Sequence, residues 1–210
     1  TGEPAVLETE SDAGEFDSEI IEQVKEFAEL GQFFEQPVKT YSSGMRSRLG
    51  FATAIFTQVD IMLIDEHPGK QEDEQAQPFA GRSAGLLEKM LSAIGLQLDE
   101  VYCASALPWH PPGSRSPTPP EINICKPFLE RHIALAAPKL VILMGNTPTR
   151  MLLEPTAQAL LVRGNWQNQE IDGHAFEMLV TLNPGFLLKQ PAQKKLAWQD
   201  LLMIKAKIAE

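Results

Sequence analysis

Cysteine is scarce in this chain: of 210 residues only Cys103 and Cys125 carry a thiol. Without CxxC spacing or further company they make no disulfide framework, and two reduced thiols are expected. Long apolar runs are missing too, none approaching the roughly 18 to 20 residues that cross a bilayer. The acidic N-terminal stretch lacks the charged-then-apolar layout of a signal peptide. These absences point to a cytoplasmic protein with no membrane partner. No GxxxxGK[ST] loop occurs, so nothing cradles nucleotide phosphates on backbone N–H groups, and this chain alone is not expected to hydrolyse ATP. Net positive charge is lacking as well. A formal charge of −10 argues at first sight against nucleic acid, whose phosphates call for clustered Lys and Arg.

The distribution of that charge changes the conclusion. Residues 1–66 hold 4 basic and 14 acidic side chains, while residues 67–210 hold 14 of each. All the excess acid therefore precedes His67. Two unrelated segments would show this asymmetry, and so would an acidic face on one domain.

Residues 1–17 are polar, acidic and aperiodic, which reads as a tail or linker. From Ser18 onward Ile20, Ile21, Val24, Phe27, Ala28 and Leu30 recur on one helical face, with Ser18 as N-cap and Gly31 as the stop. A second helix of about fifteen residues ends near Gln58. Ile61 to Ile64, bounded by Asp60 and Asp65, has the length of a buried strand, and Pro68-Gly69 forces a turn after it. In an open α/β sheet the carboxyl end of a strand is where ligands bind.

Further elements follow in order. A helix from Ser83 to Ile94 stops at Gly95, and a strand covers Val101 to Ala106. Thr118 and Glu121 form a capping box with Pro119 at the first helical position, so a helix runs to about Ala137. A strand at Leu140 to Met144, a helix at Thr147 to Leu153, a strand at Met178 to Leu182 and a helix at Ala192 to Ile208 complete the set. The order implies a three-layer α/β/α fold with a parallel four-stranded sheet over residues 60–210, and residues 18–59 as a helical appendage packed on it.

Two resemblances meet at the Ile61 strand. EFAELGQFFEQPVKTYSSGMRSRLGFATAIF followed by VDIMLIDE resembles the signature region and Walker B strand of bacterial ABC ATPases that export polysaccharide. That resemblance implies that Ser43 and Gly44 close over an ATP γ-phosphate on an opposite subunit, that Asp65 holds Mg²⁺ and that Glu66 orients water. The family's phosphate loop, D-loop and switch histidine are absent. Docking on an ABC-transporter partner is the use this segment leaves open.

IMLIDEHPG, PGKQED, PFAGRSAG, LPWHPPGSRSPTPPEI and TLNPGFLL resemble the motifs of the iron-sulfur type uracil-DNA glycosylases over about 144 residues. The resemblance implies base-excision repair by hydrolysis of deoxyuridine's N-glycosidic bond, with uracil-containing DNA, single-stranded or mismatched, as partner. Asn183 stands where the family has the histidine that donates to uracil O2. Phe79 matches the aromatic that stacks on the flipped base or, alternatively, is plain core. Ser105 falls where an Asn reads the uracil edge, or simply ends a strand. His67 is a candidate general base or a polar surface residue. Glu66 belongs to both motifs and is counted with the catalytic candidates, and Pro68 and Gly69 form the substrate-side turn.

Pro184, Gly185, Phe186, Leu187 and Lys189 resemble the wedge that fills the gap left by a flipped nucleotide, with Arg115 a further DNA contact. Lys189 could equally belong to the solvated face of the last helix. The family's first motif begins with Gly, and here Asp65 stands in its place. Of the four cysteines that hold the family's cluster only Cys125 is matched and Trp109 lies where another would be, so no cluster, no other cofactor and no metal are expected. The alternative reading is a non-catalytic, DNA-binding hybrid.

Overall fold

The computed structural model describes residues 18–37, 40–56, 59–75 and 78–210. The tail at residues 1–17, Gln58 and the side chains of Ser43 and Gly44 lie outside the described set. The fold is organised by two strands buried along their full length, β1 (Ile61–Asp65) and β3 (Leu140–Met144). Neither alternates apolar with polar residues, because both faces of the sheet are covered.

β1 pairs in parallel with β2 (Tyr102–Ser105) on one side and with β3 on the other. β3 pairs in parallel with β5 (His174–Thr181). These are the four parallel strands expected. A fifth, β4 (Trp166–Ile171), joins the edge antiparallel to β5, giving the order β2-β1-β3-β5-β4. The two edge-side strands form a hairpin whose turn, Asp172-Gly173, has positive φ at both residues (51° and 80°). This two-residue, positive-φ turn matches the right-handed strand twist, and Asp-Gly adopts it readily.

Helices cover both faces. α4 (Gly81–Ser92) and α9 (Lys194–Ile208) sit over Ile61, Leu63, Ile142 and Met144. Alternation turns Met62, Ile64, Val141 and Leu143 to the other face, where they are fully buried in the same core as Leu129 and Ile133 of α5 (Pro119–Ala136). The expected Thr118/Glu121 capping box starts α5. α4 begins two residues before the expected Ser83. That hydroxyl bonds Ala80 O at 2.7 Å rather than capping the helix, and the chain enters at Gly81, whose φ is +58°.

α1 (Ser18–Ala28) and α2 (Ser43–Phe56) pack on each other around a separate small core of Val24, Ala28, Leu30, Tyr41 and Ala52. They meet the larger body where α2 lies against α5.

Tertiary contacts also fasten the last helix. Asp200 on α9 is wholly buried and bound by both ends of the Arg163 guanidinium at 2.6 and 2.8 Å and by the Thr181 hydroxyl at 2.7 Å. Burial pushes its carboxyl up, and the Arg163 and Thr181 bonds pull it back. The network ties β5, α9 and the segment before β4 at one point.

Candidate active site

The chain leaves β1 for β2 on one side and later returns to β3 on the other, so the switch in strand order falls between the carboxyl ends of β1 and β3. Crevices in open α/β sheets form at such points. Here a cleft of about 460 Å³ is lined by Asp65 and Glu66 from β1, Gly145 and Asn146 after β3, and Leu182 and Asn183 after β5.

Asp65 forms its floor. The side chain is 7% exposed, and Oδ1 accepts from Glu66 N–H at 2.8 Å and from the Asn183 amide. Burial raises its carboxyl to about 7, helped by the charges of Glu66 and Glu72 and opposed by those two hydrogen bonds. Asn183 is at the same time the N-cap of α8 (Pro184–Lys189), its Oδ1 accepting from Phe186 N–H at 3.1 Å. The expected base donor is thus anchored at both ends of its amide.

Glu66 points across to β3. Its Oε1 accepts from Asn146 N–H at 2.7 Å, and it lies so close to Gly145 that a Cβ there would sit 2.6 Å from the same oxygen. Gly145 also has φ of +109°, so both conformation and space call for glycine. Asn146 Oδ1 in turn accepts from Ala159 N–H at 2.9 Å, fixing the wall opposite.

His67 lines the cleft beside Glu66. Its Nδ1 is buried and has no hydrogen-bond partner among the described residues. Burial holds the imidazole below its usual pKa, which favours its neutral form. Pro68 contributes its carbonyl, which accepts from His110 Nδ1 at 2.7 Å, while His110 Nε2 accepts from the Ser114 hydroxyl at 3.1 Å. His110 therefore ties the Pro68-Gly69 turn to the Pro-rich loop.

Glu72, on α3 (Lys70–Gln75), reaches the same cleft and accepts from Ala80 N–H at 3.0 Å. This bond clamps the Phe79 segment. Phe79 has φ of +52°, is 2% exposed and belongs to the main core cluster; it is not among the residues that line the cleft.

Gly69, Gly185, Phe186 and Lys189 line the cleft with Asn183, Glu66 and His67. The PGFLL segment is a short helix rather than a loop. Pro184 is buried and Leu187 is 1% exposed in the core, so the large apolar side chain it offers at the lip is Phe186, 36% exposed. Ser105 ends β2 in register with Asp65 and is half-buried outside the cleft lining. Arg115 also lies outside it, forked onto Glu121 at 2.7 and 2.8 Å. Sequence reading missed Asn146 and Glu72. A Gly-Asn pair closing a buried strand was the available signal for the first, and the ED of PGKQED for the second.

An iron-sulfur cluster takes four cysteine thiolates, and the chain has two. Burial pushes the Cys103 thiol up to about 12 and raises Cys125 as well, the reverse of what a thiolate ligand needs. The residues present do not fit that group. Among the described residues no three His, Cys, Asp or Glu side chains are grouped as a metal site, and no described helix is long and apolar enough to cross a membrane.

Comparison with known proteins adds two findings. A segment of 48 residues, 23% of the chain, is 58% identical to the teichoic acids export ATP-binding protein TagH of Bacillus cereus, of which it spans 9%. Over 158 residues the chain is 30% identical to the type-4 uracil-DNA glycosylase of Sulfurisphaera tokodaii, covering 71% of this chain and 70% of that protein. Over 150 residues it is 29% identical to the type-4 uracil-DNA glycosylase of Pyrobaculum aerophilum, covering 70% and 76%. The match to the Uracil DNA glycosylase superfamily runs over residues 54–202, from the end of α2 through all five strands into α9, and the chain belongs to that superfamily.

Proposed function

We propose that this protein is a base-excision repair glycosylase that hydrolyses the N-glycosidic bond of deoxyuridine in DNA. The carrying observation is the convergence of Asn183, Glu66 and His67, from two strand ends, on one cleft at the switch point of a sheet that lies within the superfamily match. Two relatives named type-4 uracil-DNA glycosylases support the same substrate.

The reaction releases uracil as an anion while the sugar becomes cation-like and water attacks C1′. Asn183 donates an N–H to uracil O2 as charge develops there, a contact worth roughly 2 to 4 kcal/mol in the transition state. His67, which lines the cleft and whose neutral form is favoured by burial, takes the proton of the attacking water. Glu66, held by Asn146 N–H, sets a carboxylate against the positive sugar. Phe79, in a left-handed conformation that a bulky residue keeps only when its surroundings impose it, is buried in the core beside the Ala80 N–H that Glu72 holds.

Phe186 occupies the gap left by the flipped nucleotide, with Lys189 at phosphate. Arg115 reaches DNA after parting from Glu121. Asp65, Glu66 and Glu72 face the cleft against Lys189, so attraction for duplex phosphate is weak. Uracil that is already unpaired or mismatched is favoured, because less energy is needed to expose it.

The test is incubation of the purified chain with oligonucleotides carrying one uracil, single-stranded or opposite G or A, followed by alkaline cleavage. Strand scission in the order single strand, G·U, A·U is expected. No scission with any of them, nor with a variant carrying both Asp65→Gly and Asn183→His, would leave a DNA-binding domain without catalysis.

A further inference from the structure

Asn183 has two partners of opposite polarity. Its Oδ1 accepts from Phe186 N–H at 3.1 Å, and its Nδ2 donates to Asp65 Oδ1. Turned end for end, the amide would set N–H against N–H and oxygen against a carboxyl oxygen, two repulsive pairs. The partners together therefore determine which end of the amide is which. Asp65 is itself rigid: it belongs to β1, flanked by β2 and β3, is almost fully buried and also accepts from Glu66 N–H at 2.8 Å. One Asn183 hydrogen is spent on Asp65, the amide carries a second, and the residue lines the cleft.

We propose that Asp65 is the positioning residue of this site, its carboxyl group holding the Asn183 amide so that one N–H is tied back and the other is presented to the base. The consequence for catalysis rests on the glycosylase reading above; the contact itself does not. An ionised Asp65 would oppose the negative charge developing on uracil, whereas the neutral acid holds the same amide without that opposition. The charged and titratable groups facing it are Glu66 and His67 directly after its strand, Cys103 on β2, Glu72 on α3 and Lys189 on α8. Burial moves His67 below its usual value and Cys103 up to about 12, both away from the Asp65 value of about 7.

Two measurements test this together on the full chain. In asparagine-labelled protein the Asn183 side-chain amide signals should shift with a midpoint near pH 7, and the shift should vanish in Asp65→Asn. On a single-stranded uracil oligonucleotide, Asp65→Ala should lower kcat roughly 10- to 100-fold, the scale of a misplaced catalytic group, with KM nearly unchanged. Asp65→Asn, whose amide oxygen can accept the same two N–H groups, should recover most of the kcat lost in Asp65→Ala and lack the wild-type decline above neutral pH. Turnover by folded Asp65→Ala at or above the wild-type rate would overturn the proposal, and so would Asn183 signals that do not follow Asp65. If no protein releases uracil yet the signals follow Asp65, the positioning contact stands and the glycosylase reading falls.

Discussion

The side-chain amide of Asn183 donates to the carboxyl of Asp65 across 118 residues of sequence. The contact ties the end of β1 to the start of α8 and places an acid where the superfamily's first motif, by resemblance, has glycine. Under the positioning role proposed for Asp65, stability and chemistry meet at one carboxyl group.

Stability should depend on pH through that group. An unfolded Asp ionises near 3.8, whereas the folded Asp65 keeps its proton to about 7. Between those values the folded state binds more protons, so the contribution of Asp65 falls as pH rises through that window and stays low above it. At about 1.4 kcal/mol per unit the loss is roughly 4 kcal/mol. His132 works in the opposite sense. Its Nε2 and the Tyr102 hydroxyl are hydrogen-bonded at 2.9 Å, and burial lowers its pKa to about 4 from 6.5. Stability is lost there as pH falls through 6.5 towards 4. The two effects offset each other in the wild type. Urea titrations at pH 5 and pH 8 should show Asp65→Asn gaining at pH 8 relative to wild type, with the advantage shrinking at pH 5. Equal gains at both values would show that Asp65 does not titrate in this window.

A second prediction concerns α9. Removing the Arg163 fork leaves the wholly buried Asp200 carboxyl with the Thr181 hydroxyl alone. Arg163→Ala should cost roughly 3 kcal/mol in urea unfolding, and Arg163→Lys should recover only part, because one ammonium cannot replace two parallel N–H donors. Replacing both partners with leucine should restore much of the loss, since the penalty comes from an unpaired buried charge. A single Arg163→Ala that costs nothing would mean that the carboxyl is already neutral.

Much of this frame was legible. β3 matches the expected Leu140 to Met144 because an unbroken apolar run between turn signals has few alternatives, and α5 starts where Thr118, Pro119 and Glu121 together require it. β4 was missed because Gln167 to Glu170 are all polar and show no alternation, the strand lying at the sheet edge, although Asp172-Gly173 was a usable hairpin signal. The site was readable as a set of strand ends but not as a set of contacts. Nothing local to Asn183 announces Asp65, and nothing local to Glu66 announces Asn146, since both pairings are made by sheet order. The PGFLL helix shows the same limit: which of Phe186 and Leu187 faces outward is decided by packing against the core.

That orientation gives a third prediction. Phe186 is the exposed apolar side chain at the cleft lip, while Leu187 is 1% exposed in the core. Phe186→Ala should reduce uracil release from a G·U duplex by about tenfold and from single strands far less, because a wedge matters only where a stack must be held open. Leu187→Ala should instead lower the melting temperature, by loss of roughly 2 to 5 kcal/mol of core packing. Equal losses on duplex and single strand for Phe186→Ala would remove its wedge role.

The last prediction separates the two jobs of Asn183. Its Oδ1 caps α8 by accepting from Phe186 N–H, and its Nδ2 donates into the site. Asn183→Ala loses both, so it should destabilise the fold by about 1 kcal/mol, the usual worth of an N-cap, and lower kcat by at least a hundredfold. Asn183→Asp keeps an acceptor for the cap but has no hydrogen to donate when ionised, and it sets a second carboxyl against Asp65. Stability at pH 5, where the two carboxyls can share a proton, should then be near wild type while uracil release stays lost. Asn183→His restores a donor, and partial recovery of release with it would identify donation rather than helix capping as the catalytic contribution. Release by Asn183→Asp at the wild-type rate would show that the amide does not act on the base.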